Sequence, residues 1–131
     1  MSIKKYVATK DTTITNAFKS NLSSRGTGSN MGLSDVVEVF SIYGQSFSGS
    51  TRSSELSRTL FKFPVTGTAG SILTDRNNEV IPASGSVNFF LRLYNVKHAF
   101  TIPKNIILTV MPVSAAWDEG GGLDMEEYSD L

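Results

Sequence analysis

Residues 86–95 read SVNFFLRLYN, in which Val87, Phe89, Leu91 and Leu93 alternate with Asn88, Phe90, Arg92 and Tyr94. A repeat of two is the period of a β-strand, whose successive side chains point to opposite faces, and it cannot be laid on the 3.6-residue turn of a helix. Packed against a second layer, those four apolar side chains would each contribute about 1.5–3 kcal/mol, before the entropy of ordering them is set against it. A chain built around such a segment has to supply neighbouring strands and a facing surface.

Other segments carry the same signal. VVEVFSIY (36–43) predicts a strand with Val37, Val39 and Ser41 on one face. SRTLFKF (57–63) predicts another, ended by Pro64, which has no N–H to give to a ladder. NIILTVMPV (105–113) is a nearly continuous apolar run and predicts a central strand, and YVATKDTTIT (6–15) predicts a strand or strand pair rich in residues that suit a pleated surface. Between them lie turn-rich loops at 16–34 and 44–55. Only SILTDRN (71–77) predicts a helical turn, with Ser71 as its N-cap, before NNEVIPASG turns the chain back. The expected fold is all-β: a single domain over residues 1–131, an antiparallel β-sandwich or jelly roll with long Gly/Ser-rich loops and at most a short helical turn. Its expected core contains Val87, Phe89, Leu91, Leu93, Leu60, Val39 and Ile107 or Leu108.

At 131 residues the chain is one domain's worth. It has no cysteine, which excludes disulfides and thiolate metal sites. The start MSIKKYVATKD lacks the apolar run of a signal peptide, and no segment approaches the ~20 apolar residues of a membrane span. The chain is therefore expected to be made in a cytoplasm, with no membrane partner. Net charge is zero, but it is segregated: residues 1–116 hold all 12 lysines and arginines with 6 carboxylates, and residues 117–131 hold the other 6 carboxylates. The basic residues are scattered and lack aromatic interleaving, so no nucleic-acid surface is expected.

Few residues carry chemistry. His98 is the only histidine, so a His–His metal pair is excluded, and no serine sits in a G-x-S-x-G elbow. Gly26, Gly28 and Gly32 miss the dinucleotide-binding spacing and lack a strand-to-helix setting. Asn21-Leu-Ser23 matches a glycosylation acceptor, which has no meaning without secretion. Asp118, Glu119, Asp124, Glu126 and Glu127 offer oxygen ligands to calcium, but not at EF-hand spacing. Paired catalytic carboxylates need a rigid support, and Gly120, Gly121 and Gly122 make a poor one. No catalytic residues, metal or cofactor are expected. The ending WDEGGGLDMEEYSDL reads instead as an acidic arm over residues 118–131, or the end of a truncated domain. Trp117 would be its anchor, the glycines its flexible exit, and Asp118, Glu119, Leu123, Asp124, Met125, Glu126, Glu127, Tyr128 and Leu131 its contacts with a partner.

The ordered set Asp11-Thr-Thr-Ile14, Asn30-Met-Gly32 before a Val-Val-Glu-Val strand, SRTLFKFPV, FFLRLYN and Trp117-Asp-Glu119 resembles the DNRLRE-type jelly-roll domains over nearly the whole chain. Such domains occur in secreted carbohydrate-active proteins and in virion proteins of tailed bacteriophages, and TRSSELSRTLFKFPV and WDEGGGLDMEEYSDL look closest to the phage versions. In those domains further strands follow the tryptophan segment, whereas here the sequence stops at Leu131. That departure fits a truncated piece, a partly represented polypeptide, or pairing supplied by a neighbour.

Two functions follow as expectations. The first is a structural protein of a tailed-phage virion (head decoration, neck, collar or tail), located in the particle and contacting other virion proteins and copies of itself. The alternative is a carbohydrate-binding module or adhesin that binds glycans through Tyr43, Phe47, Phe90 and Tyr94. Exposed aromatics in a planar row favour sugar; apolar patches that meet other protein surfaces favour assembly.

Overall fold

The computed structural model describes residues 3–19, 21, 23–43, 54–67, 69–82, 84–99, 105 and 107–123. Strand β1 spans Lys10–Thr15, β2 spans Ser41–Tyr43 and β3 spans Ser54–Lys62. They form a three-stranded antiparallel sheet of order β1-β3-β2. The long ladder joins β1 to β3, from Lys10↔Lys62 to Thr15↔Ser57, and β2 adds only the register Ser41↔Leu56 to Tyr43↔Ser54. The described residues are thus mostly non-helical and consistent with a small all-β fold.

Threonine is the reason β1 sits where it does. Thr12, Thr13 and Thr15 are buried, and each hydroxyl has a partner. Thr12 Oγ1 accepts from the Met31 amide at 3.3 Å, and Thr13 Oγ1 accepts from the Glu38 amide at 2.9 Å. Thr15 Oγ1 donates to the Leu56 carbonyl and accepts from the Ala17 amide, both at 3.0 Å. Alternation sends Thr12 and Thr13 to opposite faces, so one short strand holds two loops, one on each side. Glu55 of β3 is 1 % exposed, and its carboxylate accepts from the Phe18 amide at 3.0 Å. Such groups are tolerated inside only because they are hydrogen-bonded.

Helix α1 (Ile72–Asn77) forms where the sequence places it. Ser71 Oγ accepts from the Thr74 amide and caps the first turn. At the other end Glu79 takes φ 57, which lets its own N–H reach the Arg76 carbonyl while Val80 N–H reaches the Asp75 carbonyl. That is the Schellman closure, carried out by a residue with a Cβ where glycine is usual. The N-terminal segment is tied to α1 by Asp75, whose Oδ2 accepts from Tyr6 Oη at 2.8 Å and pairs with Lys4 Nζ at 3.0 Å. Asp75 is 6 % exposed, and next to it Ile81 is the buried large apolar side chain among the described residues. A 3-10 turn follows at Ser84–Ser86.

Three sequence expectations need correction. VVEVFSIY yields a strand only at Ser41–Tyr43, because Glu38 and Phe40 amides are taken by the Thr13 and Ser57 hydroxyls rather than by a neighbouring strand. Residues 87–98 and 107–113 form no strand, since among the described residues no ladder joins them to another segment. Consequently the expected core is not buried: Phe89, Leu91, Leu93, Val39, Ile107 and Leu108 are exposed, and Val87 and Leu60 are half-buried. Alternation creates an apolar face; burial needs a second surface laid on it. Loop 44–53 lies outside the described residues.

Replacing Glu79 by glycine relieves the left-handed backbone and should raise stability by roughly 0.5–1 kcal/mol, whereas Ser71→Ala should lower it by about 1 kcal/mol; urea unfolding checks both. Lys4 and Tyr6, in that order, hold the Asp75 carboxyl below its ordinary value. A depressed folded value stabilises fully above the unfolded value of 3.8 and is lost as pH falls through the folded one. The N-terminal segment should therefore release from α1 only below pH 3.8, seen as loss of amide-exchange protection around Tyr6, and Asp75→Asn should remove that transition.

Candidate functional site

Segments distant in sequence, Lys10–Asp11, Asn30–Leu33 and Trp117–Gly122, meet at the outer edge of β1. Away from β3, the Asp11 amide donates to Glu119 Oε1 at 2.7 Å, and the Lys10 ammonium pairs with Asp118. The Asp118 contact raises the Lys10 pKa, and the same contact, followed by the Glu119 amide, lowers that of Asp118. Asn30 Oδ1 accepts from the Gly32 amide at 3.2 Å and from the Gly122 amide at 2.8 Å. The Leu33 amide closes the ring by donating to the Gly122 carbonyl at 2.9 Å.

Glycine is required here by contact and by conformation. A Cβ on Gly32 would collide with the carbonyls of Glu119 and Gly120; one on Gly120, which has φ 79, would collide with the Asn30 amide group. The reading of Gly120–Gly122 as a loose exit is therefore corrected: Gly120 and Gly122 are docked, and the segment is a strap along β1. Glu119 gives that open edge a carboxylate in place of a strand, which blunts an edge that would otherwise pair freely.

Six of the expected site residues have described side chains. Trp117 is half-buried, the Asp118 side chain is largely in solvent apart from Lys10, Glu119 is half-buried on the Asp11 amide, and Leu123 is exposed. Asp124, Met125, Glu126, Glu127, Tyr128 and Leu131 lie outside the described residues. So does Phe47, while Tyr43 contributes its backbone to β2 and its side chain is not described. Phe90 is 88 % exposed and Tyr94 78 % exposed, with the Arg92 guanidinium 5.4 Å from the Tyr94 ring centre. The structure does not bring Phe90 and Tyr94 to the strap. Asp118 and Glu119 face different partners on β1, and among the described residues no three His, Cys, Asp or Glu gather as a metal-ligand group.

On the other side of Trp117 lies a broad open cleft of about 3980 Å³. Its walls come from residues 3–9, 35–41, 56–66, 72, 80–82, 86–98, 105, 107–113 and 115–117. It is much larger than the ~300–1,000 Å³ of a small-molecule pocket. Phe89, Phe90, Ile107, Val110 and Met111 line it, all exposed, with Ile107 at 91 %. Among the described residues no helix is long and apolar enough to cross a membrane. Comparison with protein-family models, curated proteins and solved structures gave no match.

Sequence reasoning passed over the role of Asn30 as the double acceptor, although Asn followed by Gly two positions later is a turn signal with that mechanism. The Lys4–Tyr6–Asp75 tie had no comparable signal, since its members are about 70 residues apart. Gly120→Ala and Asn30→Ala should each destabilise the strap, by roughly 1–3 kcal/mol, through strain at positive φ in the first case and unpaired amides in the second. The measurement is hydrogen exchange at the Gly32, Leu33 and Gly122 amides, which should quicken while the β1–β3 ladder stays protected.

Proposed function

We propose that this chain is a structural component of a tailed-phage virion, a decoration, neck, collar or tail protein acting through protein–protein contacts. In this reading the three-stranded sheet is one part of a jelly-roll sandwich whose apolar segments are covered in the assembled particle. One observation carries the proposal. Residues 87–96 and 107–113 are largely apolar, exposed and line one cleft together with β3, and among the described residues no ladder joins them to a strand. Large contiguous apolar surfaces of this kind mark sites of association rather than free solvent-facing surface. The virion assignment rests on the sequence resemblance, in which TRSSELSRTLFKFPV and WDEGGGLDMEEYSDL look closest to the phage versions. Residues 124–131 remain part of the proposed assembly arm on the chemistry of their sequence, with the strap fixing where that arm departs.

A carbohydrate-binding role is favoured by a different observation: Phe90 and Tyr94, four residues apart, are both largely exposed. Two flat rings at that spacing could stack on successive parts of a glycan. Arg92 beside Tyr94 would add hydrogen-bond donors.

The deciding experiment bands particles on a density gradient from cells that make the chain at its natural level and detects the chain with an antibody. The expected result is the full-length chain in the particle band, and loss from that band when residues 123–131 are deleted while the deleted chain remains folded. Chain found only in the unassembled fraction would overturn the virion reading. Retention on a glycan surface that Phe90→Ala and Tyr94→Ala abolish would select the second role.

A further inference from the structure

The walls of the cleft are not only apolar. Lys5, Arg58, Lys62, Arg92 and Lys97 line it and are exposed, against Asp35 and Glu38 as the exposed carboxylates of the lining. Lys4 also lines it but is engaged by Asp75. An occupant of this cleft should be elongated, apolar on one side and acidic on the other. Its size fits a polypeptide segment better than a small molecule.

The sequence contains such a segment in LDMEEYSDL, residues 123–131. As an extended strand it would place Leu123, Met125 and Leu131, with Glu127 and Ser129, on one face and Asp124, Glu126 and Asp130, with Tyr128, on the other. The route by which it leaves decides whose cleft it reaches. Trp117 is the last residue that lines the cleft, and the strap then runs along β1 to Asn30 and Leu33, none of which lines it. The strap is held on that course by backbone and side-chain bonds, so the described chain ends at Leu123, past the residues that line the cleft.

We infer that the acidic C-terminal segment, residues 123–131, of one copy docks as an added strand in the basic, apolar cleft of a second copy, beside residues 87–98. This deepens the assembly reading above and rests on it, naming the partner as another molecule of the same chain. Main-chain pairing supplies affinity and the alternating side chains set register, as in other strand additions. The lysines and arginines of the wall steer the acidic strand in and orient it. Because a tail on one molecule fits a cleft on the next, the contact is head-to-tail and repeats until closed by geometry.

The test mixes full-length chain made with natural-abundance nitrogen and with nitrogen-15, then couples carboxylates to lysines with a carbodiimide and reads the linked peptides by mass spectrometry. The expected links join Asp124, Glu126 or Asp130 to Lys97 or Lys62 and appear with mixed isotope labels, which only pairs of molecules can give. In parallel, sedimentation of the full chain should show self-association that Arg92→Glu with Lys97→Glu weakens by roughly 30-fold or more, and that Glu126→Lys with Glu127→Lys weakens alike. Mixing these two charge-reversed proteins should restore association, which a mere folding defect would not allow. Links of a single isotope only would place the segment in its own cleft and overturn the inference, as would association that neither reversal changes. If the chain bands with particles yet gives no mixed-label links, the copy-to-copy contact fails while the virion reading stands.

Discussion

The antiparallel pairing of β1 with β3 is the contact on which the described structure hangs. The strand is only six residues long, yet it is held on every side. One edge carries the ladder to Lys62 through Ser57, and the other is met by Glu119. Above and below, the Thr12 and Thr13 hydroxyls fix the Met31 and Glu38 amides. Losing the ladder would unseat both loops and the strap together, because their anchors are side chains whose direction the ladder sets. It is a hydrogen-bonded core more than an apolar one, and its buried threonines, Ser71, Asp75 and Glu55 are at home there because they have partners.

The rest of the chain has the opposite character. Residues 87–98 and 107–113 carry the strongest apolar pattern in the sequence, and nearly all of them are exposed. An incoming strand would cover such apolar side chains while its own backbone groups find partners. The proposed assembly function follows from that pairing of needs. The strap adds a complementary device: Glu119 takes the Asp11 amide on the outer edge of β1 and blunts that edge against pairing.

Charge adds direction. The sequence separates its carboxylates toward the C-terminus, and the fold lines the cleft with the cations that a body rich in lysine and arginine has to spare. Lys10 with Asp118 shows the same attraction within one molecule, on a small and exposed scale where it positions more than it stabilises. Under the proposal the attraction between molecules would be salt-sensitive, since the Debye length shrinks from ~10 Å at 0.1 M to ~3 Å at 1 M.

Local rules were enough for some elements. Ser71 marked the start of α1, Pro64 marked a stop just beyond β3, and the threonines of residues 12–15 marked β1, because capping, a missing N–H and β-branching act through neighbours in sequence. The Asn30 and Gly32 turn was legible in kind, but not its engagement of Gly122, which lies 92 residues away. Glycine at 120 read as freedom in the sequence and proved to be a place where no Cβ fits, since close approach is a property of two chain segments and not of one. Alternation at 87–93 determined which side chains share a face. Whether that face is covered was decided by tertiary structure alone, because burial depends on a second surface that no pattern within the segment encodes.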